Sequence, residues 1–157
     1  MEKTTWEDTK LIFIPSFMGC REMGHYVTLI IDTLDDGKKM IYVVDSLGKD
    51  AYYEDIKESF VNSPFSYNEN QNSWRFLESV NQSPRSNDCG IFTLMIFTKY
   101  LQQRLTLEDE NINKFTKICY NETPKEMGRL GRIDIEKCLK DNKIYFGSPS
   151  ISSISIL

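Results

Sequence analysis

The sequence has a single histidine, His25, in 157 residues. Every site that needs two histidines is thereby excluded, among them HExxH zinc centres and zinc fingers with paired histidine ligands. The four cysteines, Cys20, Cys89, Cys119 and Cys138, form no CxxC pair, so neither a thiolate metal site nor a dithiol redox motif is expected. No metal and no cofactor is called for. There is no basic run: 19 Lys and Arg stand against 23 Asp and Glu, a formal charge of −4 that argues against nucleic acid as a partner. No apolar run is long enough to span a bilayer, and the opening MEKTTWEDTK has no signal-peptide core. The expectation is a monomer with reduced thiols and no membrane partner. Its compartment is a reducing intracellular one, cytoplasm or nucleus, or the cytosol of a host if the protein is a secreted effector. No internal repeat and no linker-like stretch divides the chain.

What is present suits one folded domain. With 40% hydrophobic and 12% aromatic residues, a chain of this length can bury a core. The expected domain runs over 1–142, followed by a low-complexity Ser/Ile-rich tail over 143–157. Leu11 to Pro15 reads as a strand ended by its proline, and His25 to Asp32 as a second strand. Asp36-Gly37 signals a hairpin turn, and Met40 to Asp45 is the return strand. Both hairpin strands are apolar almost throughout, which predicts a sheet covered on both faces. Tyr52, Ile56 and Phe60 fall at helical spacing and predict a helix over Ala51 to Phe60. Asn62 to Ser73 has loop composition, Trp74 to Val80 reads as a strand, and NQSPRSND before Cys89 is again a loop. From Cys89 the sequence is apolar around most of a helix, which predicts a central, buried one. Glu108 to Tyr120 and Lys125 to Asp141 read as outer helices, the second weakened by Gly128 and Gly131.

The chemistry concentrates at Asn87-Asp88-Cys89-Gly90. Asp88 is a good N-cap residue, which places Cys89 in the first helical turn. Unpaired N–H groups and the helix dipole favour negative charge there, the surroundings a thiolate nucleophile needs. Gly90 leaves room for close approach. A nucleophile of this kind wants a base, and the base an orienting acceptor. His25, after Gly24 at an exposed strand mouth, is the sole candidate base. Asp45 ends the partner strand, so a turn at Asp35–Gly37 brings His25 and Asp45 to the same end of the hairpin. Taken singly, a histidine is more often a surface or core residue and a strand-end aspartate a turn former. The joint arrangement points to an activated thiol.

LIFIPSF, GHYVTLIID, IYVVDSLG, Gln82 and NDCGIFTLM, in that order over about Leu11 to Arg104, resemble the Ulp/SENP-type ubiquitin-like-protein proteases of the adenain-like clan. The resemblance implies an α+β, papain-like fold. In it a central mixed sheet carries His and Asp, and the nucleophile starts a buried helix. It implies a triad of Cys89, His25 and Asp45, and cleavage after the C-terminal Gly-Gly of SUMO, NEDD8 or ubiquitin, whose conjugates are the expected partners. It assigns Gln82 to the oxyanion hole and Tyr26 to the roof of the Gly-Gly channel. Three departures stand out. Gln82 lies seven positions before Cys89 where the family usually has six, and Ser83 holds the usual spacing. Tyr26 stands where many members have Trp. The N-terminal helical segment that grips the modifier in larger members is absent or only partly represented. Two other readings remain at this point: a same-clan acetyltransferase effector, and an inactive module that binds a ubiquitin-like modifier. An Asp in a VDSL block and the lack of a Lys/Arg cluster for a polyphosphate weigh against the first.

Overall fold

The computed structural model describes residues 10–19, 24–48, 50–63, 72–79, 81–82, 86–107, 109–112, 116–118 and 123–141. The expected tail over 143–157, Ser83, Cys20 and Cys119 lie outside them, as does the side chain of Cys138. Four strands form one sheet in chain order: β1 (Leu11–Met18), β2 (His25–Thr33), β3 (Lys39–Val44) and β4 (Asn72–Phe76). β1 and β3 flank β2 antiparallel, and β4 runs parallel to β3. The helices are α1 (Tyr53–Val61), α2 (Cys89–Arg104), α3 (Asp109–Ile112) and α4 (Pro124–Asp141). The architecture is the expected α+β fold on a mixed central sheet. Among the described residues no helix is long and apolar enough to cross a membrane.

Alternation along β2 and β3 explains their continuous apolarity. Ile30, Met40, Tyr42 and Val44 pack with Phe92, Met95, Ile96 and Tyr100 of α2 and with Met127 of α4. Val27, Leu29, Ile31, Ile41 and Val43 face the other way, onto Ile56 and Phe60 of α1 and onto Trp74. Both faces of the hairpin are thus covered. Trimming one fully buried side chain in such a layer, as in Ile96→Ala, costs about 2–5 kcal/mol. The hairpin turn uses Gly37 at φ +82°, with the Gly37 N–H on the Leu34 carbonyl and the Leu34 N–H on the Lys38 carbonyl.

Three elements differ from expectation. β1 runs through Pro15, which an edge strand tolerates because a missing N–H on the free side breaks no ladder. β4 starts at Asn72 and stops at Phe76, earlier than the run from Trp74 to Val80. Of the helix expected over Glu108 to Tyr120, the described residues show the four of α3 as helical. Beyond it, Thr116 to Ile118 is extended: the Glu78 N–H bonds the Thr116 carbonyl and the Ile118 N–H bonds the Glu78 carbonyl. Those backbone groups are satisfied by a distant segment, so no helix is needed to pair them.

α4 begins on a reciprocal cap. The Glu126 N–H donates to Thr123 Oγ1, and the Thr123 N–H donates to Glu126 Oε2. Pro124 sits in the first turn, where its missing N–H costs nothing. The two glycines that argued against this helix serve its packing. A Cβ at residue 131 would lie 2.4 Å from Ile91 Cγ2 and 2.6 Å from Met95 Sδ, so glycine lets α4 lie close on α2.

Candidate active site

The His25–Asp45 pairing forms as the hairpin register dictates. The last cross-strand pair before the open end is Thr28 with Val44, so Asp45 leaves β3 as His25 enters β2. His25 Nε2 lies 2.7 Å from Asp45 Oδ1. A carboxylate oxygen accepts, so the imidazole donates from Nε2, which makes Nδ1 the bare nitrogen of the neutral ring. His25 is not exposed as its place at a strand mouth suggested: it is 8% accessible, and Asp45 is 1% accessible. The Tyr52 ring, just before α1, lies 6.0 Å from the imidazole.

Asp45 is itself held by a local turn. The Leu47 N–H donates to its Oδ1 at 2.8 Å, and the Gly48 N–H donates to its backbone carbonyl at 2.9 Å. Gly48 has φ +67°, and a Cβ there would stand 2.1 Å from the Asn81 side chain. Glycine is therefore required for the turn and for the close approach of the 81–82 segment. Among the described residues, Asp45 Oδ2 is buried and has no hydrogen-bond partner.

Gln82 is buried beside this turn. Its N–H donates to the Ser46 carbonyl at 2.6 Å, and the Ser46 hydroxyl donates to Gln82 Oε1, also at 2.6 Å. Gln82 Nε2 donates to the Ser86 carbonyl at 3.2 Å, in the segment that leads into α2. One of its two N–H bonds suffices for that contact. Ser46 was not singled out from the sequence, although it belongs to the VDSL block; it fixes which way the Gln82 amide points.

Cys89 is the first residue of α2 and is half-buried, with a free thiol. Two observations bring it to the strand mouth. A Cβ on Gly90 would stand 3.8 Å from Tyr26 Cδ2, so the residues that follow Cys89 and His25 are neighbours. The far ends also meet: Tyr100 Oη donates to Asp32 Oδ2 at 2.6 Å and Arg104 Nε donates to it at 2.7 Å. From Tyr26 to Asp32 the strand rises about 20 Å. From Gly90 to Arg104 the helix rises about 21 Å. Equal spans, joined at both ends, lay α2 along β2 with Cys89 at the His25 end.

Two aromatics flank this end. Phe17 and Tyr26 are 49% and 39% accessible and meet edge-on with ring centroids 5.1 Å apart. The Phe17 ring occupies the space that a Cβ at residue 24 would need, 1.7 Å from Cζ, so Gly24 seats it. Phe17 carried no signal of its own in the sequence.

Asp88 does not act as the expected cap. It occupies the N-cap position, but its side chain makes no capping hydrogen bond. Its Oδ1 accepts instead from Arg132 of α4. The Asp88 backbone, at φ −94° and ψ 3°, lacks the extended conformation of a capping residue, and its carboxylate makes a charged hydrogen bond to the guanidinium instead.

The chain matches the Ulp1 protease family, C-terminal catalytic domain, over residues 1–128. It belongs to the Ulp1 protease family. No curated protein matches it. Among solved structures it is similar to one described as a de-sumoylating protease, at 19% identity and a TM-score of 0.48, over 90% of this chain and 56% of that one. The chain thus spans little more than half the length of that structure.

Proposed function

We propose that this Ulp1-family domain is a cysteine peptidase that cleaves after the C-terminal Gly-Gly of a ubiquitin-like modifier, with Cys89 as nucleophile, His25 as base and Asp45 as orienting acid. The buried 2.7 Å contact between His25 Nε2 and Asp45 Oδ1 carries the reading. It holds the only histidine of the chain in one tautomer, beside the start of the helix that Cys89 opens.

The Cys89 thiolate attacks the carbonyl of the modifier's last glycine, forming a C–S bond. His25 gives its Nδ1 proton to the leaving amine as the C–N bond breaks. The same nitrogen then takes a proton from water, which hydrolyses the thioester and frees Cys89. Asp45 keeps Nε2 protonated and steadies the imidazolium. The oxyanion of each tetrahedral intermediate needs preorganised donors. The Cys89 backbone N–H is one, and the second Nε2–H of Gln82 is the other. The Ser46 hydroxyl on Gln82 Oε1 supports that role, because it fixes the amide with its nitrogen toward the Cys89 segment. The exposed Tyr26 ring beside Gly90 forms the wall along which a flat, side-chain-free Gly-Gly tail lies.

The test is covalent labelling with SUMO, NEDD8 and ubiquitin that carry a C-terminal electrophile. One or more should give a single adduct in the wild type that is lost in Cys89→Ala and His25→Ala. An adduct that persists in Cys89→Ala, or folded protein that none of the three labels, would sink the proposal. Acetyl transfer from acetyl-CoA to Cys89 in that unlabelled protein would indicate an acyltransferase instead.

A further inference from the structure

An aspartate at the N-cap normally turns its carboxylate onto the N–H groups of the following turn. Asp88 sits at that position of the helix that opens with Cys89, yet it makes no such bond. Its whole carboxylate is drawn onto α4. Oδ1 accepts from Arg132, and a Cβ at residue 128 would be 3.0 Å from Oδ2, so glycine at that position makes room for it. The Arg132 side chain is largely exposed, and that of Asp88 is mostly covered.

Two consequences follow for the first turn of α2. The N–H groups of Cys89, Gly90 and Ile91 have no intrahelical acceptor, and the carboxylate that would fill them is held elsewhere. A negative charge next to Cys89 is also matched by a cation, so it opposes neither a thiolate nor an oxyanion. Without Arg132, a turn of the Asp88 backbone from its present ψ of 3° to the extended value of a capping residue would let the carboxylate cap its own helix. It would then occupy the donors that the oxyanion needs.

We infer that Arg132 is a positioning residue that withdraws the Asp88 carboxylate from the first turn of α2 and so keeps the N–H groups around Cys89 open for the oxyanion. This rests on the peptidase reading above. It makes a claim that an ordinary stabilising ion pair does not: the harm done by losing Arg132 comes from the Asp88 carboxylate left behind.

The experiment is a double-mutant cycle on the whole chain, with wild type, Arg132→Ala, Asp88→Ala and the double variant. The readout is acylation of Cys89 by p-nitrophenyl acetate, whose attack builds an oxyanion without needing any modifier. The thiolate forms a bond to the acetyl carbon, and the electron pair of the broken C–O bond leaves with nitrophenolate. Alkylation by iodoacetamide, which builds no oxyanion, is measured beside it. Arg132→Ala should slow acylation at least about tenfold, part of the effect of losing an oxyanion donor. It should change alkylation by less than about threefold. The double variant should recover to within about threefold of wild type, as should Asp88→Ala alone. Arg132→Lys, which keeps a cation over Asp88, should stay near wild type. If Arg132→Ala does not fold, Arg132→Gln takes its place in the cycle. Equal losses in both single variants and in the double would overturn the inference, since a plain ion pair behaves so; no loss in Arg132→Ala would also overturn it. Equal acylation of Cys89→Ser would overturn the peptidase reading itself, and the inference with it.

Discussion

Asp32 and Asp45 are buried to nearly the same degree, 3% and 1% accessible, at opposite ends of the β2–β3 hairpin. Their partners differ in kind. Asp32 Oδ2 takes the Tyr100 hydroxyl and the Arg104 guanidinium, a permanent cation, and both partners come from α2. Asp45 Oδ1 takes an imidazole and a backbone N–H from its own turn. The first arrangement bolts a helix to a strand. In the proposed mechanism, the second holds the group that carries the proton. Burial alone does not tell the two carboxylates apart; the kind of partner does.

Substitutions at the two ends should therefore damage different properties. Asp45→Asn should lower turnover of a labelled modifier substrate at least about a hundredfold, because an amide no longer enforces the imidazole tautomer or steadies its charge. Its thermal midpoint should stay close to wild type. Asp32→Ala should do the reverse. It takes from the partly covered Arg104 and the buried Tyr100 hydroxyl the carboxylate they share, at a cost of about 2–3 kcal/mol in urea unfolding, with turnover per folded molecule within about twofold of wild type. If both variants lost activity and neither lost stability, the contrast would fail.

A smaller effect separates the hydroxyl from the guanidinium. Tyr100→Phe keeps the ring against Tyr42, whose centroid is 5.5 Å away, and removes the hydroxyl that bonds Asp32. A loss of about 1–2 kcal/mol is expected. The same cluster sets an alkaline limit on stability. Burial first, and then the Asp32 charge, push the Tyr42 phenol up to about 12 and also raise that of Tyr100. The fold favours the neutral phenols. Their contribution is complete below the unfolded value near 10 and is lost as pH rises through the folded values. Urea midpoints should fall from about pH 10 upward, and Tyr100→Phe should flatten that slope. Turnover per folded molecule should not follow it.

The smallest expected effect is at the aromatic rim. Phe17→Ala removes the ring that meets Tyr26 edge-on, and should raise KM for a modifier substrate about threefold with kcat nearly unchanged. Gly24→Ala should mimic it by displacing the Phe17 ring. A fall in kcat with constant KM would place Phe17 in the chemistry instead.

Much of the His25–Asp45 end was readable because it is local. An Asp-Gly turn and two apolar strands determine the register, and the register determines that His25 meets Asp45. The Cys89 helix was readable from its apolar run and the loop before it. The Asp32 end was not. An aspartate closing an apolar strand reads as a turn residue until its partners appear, and they lie 68 and 72 residues away. The N-cap position of Asp88 was readable but the partner of its carboxylate was not: Arg132 is 44 residues distant. The segment near Lys117 is extended and not helical because Glu78, from a remote part of the chain, satisfies its backbone. Local turn chemistry and periodicity survive in the fold; side chains and backbone groups whose partners come from afar do not declare themselves.

The central claim is that Asp45 holds His25 by its Nε2–H and leaves Nδ1 to exchange the proton. One histidine in the chain means one pair of imidazole nitrogens to observe. Heteronuclear NMR of the ring nitrogens should show Nε2 protonated in a strong hydrogen bond in wild type, with that signal weakened or exchange-broadened in Asp45→Asn. A ring protonated on Nδ1 with Nε2 bare, or a spectrum indifferent to Asp45→Asn, would contradict the account.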